Sequence, residues 1–348
     1  MSYFEPSKLL AGQARFSKKM ESAEWRMPDT AVLSALSITE KGNPAIANLR
    51  LREDRLAYAY LPIKSAAGSA VKRTYNHTGN SPDSKAVQLS WNSIVETFSL
   101  SADQFLNNII SFEDAYASGI LNGVQNILAR QEALMLASLL GDVTQINKGR
   151  VQGTWNATEN FMEINNEEKF LANIMTSMKN NGYQGQLMVI QDSLAYINSA
   201  HLKNQGTQNA VNSAYQFGNA NIVMTSASID DSYLGSALAF PVDMAGIIPW
   251  IPAKNREPLN PEKATNSVIG DYGSFTVPVL DDKGNTVYNL PIAISVYTGR
   301  ADAESRNGSA QDDLMQIELS LDMAYVSAPL STVRATGDWA GKTDSVVY

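Results

Sequence analysis

This sequence contains no cysteine and only two histidines, His77 and His201, in 348 residues. The first absence removes disulfides, thiolate nucleophiles and cysteine-ligated metals together, and leaves the redox compartment open. The second removes a histidine-rich zinc site, because neither histidine has a partner at HExxH or HxH spacing. His77 falls among turn residues and His201 follows an expected helix, so both read as structural. No window approaches 18 consecutive apolar residues, and no membrane-spanning helix is expected. The stretch Met1 to Pro6 lacks the basic head and apolar run of a signal peptide. The expectation is a protein made and used in the cytoplasm, or in particles assembled there.

Charge is scarce too, at 18% of residues against the usual ~25%. Serine, threonine, asparagine and glutamine fill much of the gap, and such a surface suits a chain that ends up facing other protein. A hydrophobic share of 44% over 348 residues supplies ample core, for about two domains by length. The net charge of −8 and pI of 4.9 oppose tight binding of nucleic-acid phosphates over a broad surface. Arg15, Lys18 and Lys19 form one local basic group, but Glu21 and Glu24 follow at once, so it reads as a solvated helix face.

Motifs for catalysis are as sparse. No GxSxG elbow accompanies the serines. Gly337-Asp338-Trp339-Ala340-Gly341-Lys342-Thr343 falls one residue short of a phosphate loop and has no room for the helix that such a loop must open. The acidic pairs Glu167-Glu168, Asp230-Asp231, Asp281-Asp282 and Asp312-Asp313 lack EF-hand spacing. Two carboxylates meeting across the fold would be the route to a glycan-acting enzyme, the one reading here from a different class. No cofactor and no metal are expected.

Periodicity is more informative. Ser101 and Gln104 have capping-box spacing, and an apolar stripe runs through Phe105, Ile109, Phe112, Tyr116, Ile120, Val124, Ile127, Gln131, Leu134 and Ser138 to a stop at Gly141. A helix from Ala102 to Leu140 would span about 58 Å, a spine and not an ordinary globular helix. The alternative is two packed helices with a break near Gly119 or Gly123. Before the spine, residues 1–50 are polar and weakly periodic, and read as an arm that takes its path from a neighbour. Leu56–Leu61, Val71–Tyr75 and Val87–Trp91 read as strands around the turn-rich Asn76–Asp83, together a long two-stranded excursion. After the spine, a helix through Phe170, Ile174 and Met178, a strand Leu187–Ile190, a helix capped by Asp192 and a strand Asn221–Met224 suggest a small α/β unit. A hairpin joins Val277–Leu280 to Val287–Leu290. Met315, Ile317, Leu319, Leu321, Met323 and Tyr325 then alternate with polar residues, as in a strand that lays one face on the spine.

This order of elements resembles the major capsid proteins of tailed double-stranded DNA bacteriophages, the HK97-like fold. Ile94 to Leu106 is similar to that family's lead-in to its spine helix, and Gly182-Tyr183 with Leu187 to Asp192 to the first strand and helix of its axial domain. The resemblance covers nearly the whole chain. It implies an α+β fold with an arm over 1–50 and an extended loop over 51–88. A peripheral domain would take 89–150 with 291–348, and an inserted axial domain 151–290. It also implies self-assembly through hexamers and pentamers into an icosahedral shell around DNA, without sequence-specific binding and without a membrane. A separate scaffolding protein and a portal would be partners, and the protein would reside in the virion capsid after assembly in the host bacterial cytoplasm. The expected contacts between subunits are Tyr58, Tyr60, Lys72, Arg73, Tyr75 and Trp91, with Trp91 equally readable as peripheral core. A nanocompartment shell like the encapsulins and a phage tail structural protein are the other structural readings.

Overall fold

The computed structural model describes residues 6–21, 28–40, 54–62, 84–101, 105, 110–142, 154–156, 158, 161–163, 170–180, 185–204, 215–217, 220–229, 234–242, 245–257, 271–280, 285–300, 313–327 and 344–347. The chain starts with two helices, α1 (Pro6–Glu21) and α2 (Ala31–Glu40). Strands β1 (Tyr58–Pro62), β2 (Ser84–Gln88) and β3 (Ser90–Ser101) precede the long helix α3 (Phe112–Gly141). Then come β4 (Thr154–Asn156), β5 (Phe161–Glu163), α4 (Phe170–Asn180), β6 (Leu187–Gln191), α5 (Ser193–Asn204), β7 (Tyr215–Phe217), β8 (Ala220–Met224) and β9 (Ser236–Pro241). The remaining strands are β10 (Ala245–Trp250), β11 (Asp271–Leu280), β12 (Thr286–Arg300), β13 (Asp313–Ser327) and β14 (Asp344–Val347).

Helix α3 is one unbroken spine of 30 residues, about 45 Å long. It starts later than the Ser101–Gln104 spacing suggests. Ser101 is the last residue of β3, held opposite Leu314 of β13. The cap is Ser111 instead: its backbone is extended and its Oγ accepts the Asp114 N–H at 3.3 Å. Glu113 and Asp114 then sit in the first turn, where the helix dipole favours acids. The stripe is buried from Phe112 to Gln131, but Leu134 is exposed, and Met135, Leu136 and Leu139 take over the covered face.

Gly119 and Gly123 do not break the helix; they let a sheet lie close to it. A Cβ on Gly119 would stand 2.4 Å from Phe98 Cε2, and one on Gly123 2.6 Å from Leu319 Cδ1. Gly119→Val should therefore destabilise the subunit by about 2 kcal/mol or more through overpacking, despite the better helix propensity. Gly141→Ala, whose Cβ meets nothing within 4 Å, serves as the control. Thermal melts of the two variants should differ by several degrees, and equal melting temperatures would contradict the close-approach argument.

The strand laid on the spine is β13, with Met315, Ile317, Leu319, Leu321 and Met323 all fully buried. It is the centre of a five-stranded antiparallel sheet. Along one edge it pairs with β3 for the whole of that strand's length. Along the other it pairs first with β12 and then with β10, while β11 pairs with the far side of β12. The second sheet has seven strands in the order β4-β5-β14-β9-β6-β8-β7. Strand β6, flanked there by β9 and β8, is buried throughout, and Asp192 behind it caps α5 through the Ala195 N–H at 2.8 Å.

The sheets divide the chain differently from the expected boundary at residue 290. β10 and β11 lie before it, yet belong to the sheet on the spine. β14 lies after 291, yet pairs with β9 and β5 in the other sheet. Hydropathy marks a strand but not its hydrogen-bond neighbour, and these neighbours are distant in sequence.

Within residues 1–50, the described segments are two helices packed on the rest of the subunit. Helix α1 lies along α3, with Gly12 against the Tyr116 ring and Arg15 in an ion pair with Asp114. Residues 31–37 of α2 are entirely buried within the same subunit. Helix α2 touches α3 together with β10, β11 and β12 of one sheet and β6 and β8 of the other, so it sits between the two. Its N-terminal N–H groups are met by two carboxylates: Asp29 accepts from Ala31 at 3.0 Å, and Glu132 of α3 accepts from Val32 at 2.6 Å and Leu33 at 3.0 Å.

Candidate assembly surface

Strands β1 and β2 form a separate two-stranded antiparallel ribbon, from Tyr58 opposite Gln88 to Pro62 opposite Ser84. Alternation decides what each face does. Ala59 and Leu61 point inward and pack with Leu89, Ile248, Ala324 and Val326. Ala324 and Val326 occupy the even positions of β13, opposite in parity to the residues facing α3. The root of the ribbon therefore covers the side of the five-stranded sheet that the spine leaves open.

Tyr58 and Tyr60 take the other face, and they are 56% and 75% exposed. Tyr60 stands across from Ala86, which is too small to cover the ring. Two large aromatic groups held on a rigid ribbon and turned to solvent have little role in the stability of their own subunit.

Trp91 belongs to the anchor instead. Its Nε1 donates to the Leu56 carbonyl at 2.7 Å, and the Arg55 guanidinium lies 5.3 Å from its ring centroid. Arg55 in turn pairs with Asp322 of β13 at 3.1 Å. Of the expected contact residues, the structure thus brings Tyr58 and Tyr60 to one exposed face and ties Trp91 into the base of the same ribbon. Lys72, Arg73 and Tyr75 lie outside the described residues.

A second exposed apolar group was not anticipated from sequence. Met224 ends β8 opposite Gln191. The next residue of β6's chain, Asp192, caps the helix carrying Leu194 and Ile197, and its other oxygen accepts the N–H of Gly235 beside Leu234 at 2.7 Å. Leu194, Ile197, Met224 and Leu234, on the segments that meet at Gln191 and Asp192, are 40, 54, 40 and 76% exposed.

No cluster of three or more metal-ligating side chains occurs among the described residues. No helix among them is long and apolar enough to cross a membrane. The pairs Glu167-Glu168, Asp230-Asp231 and Asp281-Asp282, His77 and the Gly337–Thr343 stretch lie outside the described residues.

No protein-family model matches the chain, and no curated protein matches its sequence. Solved structures do match. A subunit of the cyanophage A-1(L) capsid aligns over 94% of this chain and 94% of its own, with a TM-score of 0.51 and 11% identity. The capsid of Ralstonia phage GP4 aligns over 84% of both chains with a TM-score of 0.42 and 8% identity. The SrpI encapsulin of Synechococcus elongatus covers 88% of both, with a TM-score of 0.39 and 9% identity. The chain has the α+β fold of phage major capsid proteins.

Proposed function

We propose that this chain is the structural subunit of an icosahedral phage shell, which assembles through hexamers and pentamers to enclose double-stranded DNA. The observation that carries the reading is the near end-to-end fold match to the cyanophage capsid subunit. The surface supports it: an exposed aromatic face on an anchored ribbon, low charge, and further exposed apolar side chains near β6 and β8 of the other sheet. In this reading α3 and the five-stranded sheet are the peripheral domain, the seven-stranded sheet is the axial domain, and the β1–β2 ribbon is the base of the extended loop. The role is mechanical, without a catalytic centre or cofactor. A net charge of −8 suits a lining to which packaged DNA does not stick. A separate scaffolding protein and a portal complete the assembly in the host cytoplasm.

The test is to express the protein alone, measure mass by light scattering after size exclusion and image the leading peak in negative stain. Closed shells or capsomer-sized rings are the expected outcome. Tubes would transfer the reading to a tail protein, and shells loaded with an enzyme instead of nuclease-protected DNA would indicate a compartment. A persistent 37.8 kDa monomer, even with crowding or added salt, would overturn the shell reading.

A further inference from the structure

Strand β3 forms an edge of the five-stranded sheet. All 12 of its residues pair with β13 in an unbroken register, and its other main contact among the described elements is α3. The lead-in to the ribbon takes the outer edge as far as Trp91: the Leu89 N–H donates to the Ala57 carbonyl at 2.9 Å, and Trp91 Nε1 to that of Leu56 at 2.7 Å. From Ser93 to Leu100 no strand lies beside it among the described residues, and Ser93, Val95, Thr97 and Ser99 are exposed. Folded proteins blunt such edges with lysine, proline, a bulge or short length. Ser90–Ser101 has no lysine, arginine, proline or glycine, and its pairing has no bulge. Its one charge, Glu96, is met by Arg130 of α3 at 2.9 Å.

The spine is placed to admit a second copy there. It runs along the seam between β3 and β13, since Gly119 faces Phe98, Gly123 faces Leu319, and Gln131 Nε2 donates to the carbonyls of both Asn92 and Leu321. A copy related by a two-fold axis through the β3 edge would set its spine about two strand spacings away, roughly 9–10 Å, the usual separation of packed helices. The side of α3 turned toward β3 carries Asn126 and Arg130, which reach Glu96, and the neighbouring exposed positions are Asn122, Ala129 and Ala133. Small or uncharged side chains dominate this side, and Arg130 already has its counter-charge.

Register follows from what the edge tolerates. Centring the pair on Glu96 sets two carboxylates opposite each other, which destabilises a sheet. Centring it on Val95 drives Ser99 and Leu100 of one copy against the ribbon lead-in at Trp91 and Ser90 of the other. Centring it on Thr97 joins Ile94 to Leu100, Glu96 to Phe98 and Val95 to Ser99, with the two threonines facing across the axis. We infer that two copies of this chain associate by antiparallel β3–β3 pairing around Thr97, which fuses their five-stranded sheets and lays the spines side by side. The contact is isologous, with the same patch used on both subunits. It deepens the shell reading and rests on the self-association which that reading assumes.

The chain has no cysteine, so one introduced thiol reports on this contact alone. Thr97→Cys places the two copies' residues about 4.5–5.5 Å apart between Cα atoms, within reach of a disulfide. Ser93→Cys, exposed on the same face, lies about 26 Å from its own copy. Mild oxidation of the assembled protein, read on denaturing gels without reductant, should link Thr97→Cys into dimers and leave Ser93→Cys single. Thr97→Lys should keep the wild-type melting temperature and need severalfold more protein to assemble, because two lysines then oppose each other. Linked Thr97→Cys dimers without any shell would uphold the contact and count against the shell reading. Shells in which Thr97→Cys stays single would overturn the contact and leave the shell reading standing. A monomer that stays unlinked would overturn both. Equal linking of the two cysteine variants, or assembly of Thr97→Lys at the wild-type concentration, would also overturn the contact.

Discussion

A subunit carrying both Tyr58→Ser and Tyr60→Ser should melt at the wild-type temperature and fail to assemble. The rings are largely uncovered in the free subunit, so their loss takes little from its own core. Covering two half- to three-quarters-exposed aromatic side chains removes roughly 250 Å² from water, or about 6 kcal/mol as an upper estimate. Even two thirds of that moves an association constant by about a thousandfold. A closed particle repeats each contact on every subunit, so such a shift takes assembly below any practical concentration. Trp91→Ala makes the opposite pattern, because it removes the bond to Leu56 and the seat of Arg55 and should lower the melting temperature first. Light scattering and thermal melts on the same preparations separate the two cases. Particles from the double serine variant at the wild-type concentration would show that the ribbon face is not an interface.

Between about pH 5 and pH 8 the wild-type subunit should lose stability, and Glu132→Gln should flatten that slope. Burial pushes the Glu132 carboxyl up to about 8, against the opposing pull of the Val32 and Leu33 N–H groups and with a further push from Asp29. The unfolded chain releases this proton near the ordinary value of 4.5. Between those values the folded state binds more protons, so raising the pH favours unfolding. The contribution is complete below pH 4.5 and gone above pH 8. At about 1.4 kcal/mol per unit, it amounts to a few kcal/mol. Asp114 works in the other direction: Arg15 and Ser111 hold it below its ordinary range, so its contribution fades toward acid. Asp114 is half exposed, and its share is small. Glu132→Ala should lower stability across the whole range, since it strands two buried N–H groups at about 1–3 kcal/mol each. Hydrogen exchange would place that loss in α2. Parallel pH profiles for wild type and Glu132→Gln would refute the linkage.

What the sequence discloses follows from how many faces each element buries. β13 covers one face only, so Met315 to Met323 alternate cleanly and even name the helix beneath them. The ribbon is readable for the same reason, with Ala59 and Leu61 in and Tyr58 and Tyr60 out. Helix α2 is covered on every side, so Ala31-Val32-Leu33-Ser34-Ala35-Leu36-Ser37 shows no stripe at all. In α1 the buried line runs through Leu9, Gly12 and Phe16, and the glycine interrupts the apolar signal. The Ser101–Gln104 spacing places the start of the spine too early, since the cap is Ser111. Ser111 with Asp114 has the same spacing as Ser101 with Gln104, and only the pairing of β3 with β13 decides between them. The partners of β10, β11 and β14 depend on contacts across the fold that no local pattern encodes.

The place of β13 at the centre of its sheet also sets a timetable for synthesis. The spine ends at Gly141, and β13 begins at Asp313, about 170 residues later. At a translation rate of roughly 5–20 residues per second, α3 waits about 10–30 s for the strand that covers it. During that interval the apolar stripe from Phe112 to Leu139 and the inner face of β3 have no cover from β13. Chains emerging side by side on one message would be at greatest risk of sticking to each other in that window. A nascent chain stalled before Asp313 should accordingly be far more protease-sensitive and chaperone-bound than one stalled after Ser327.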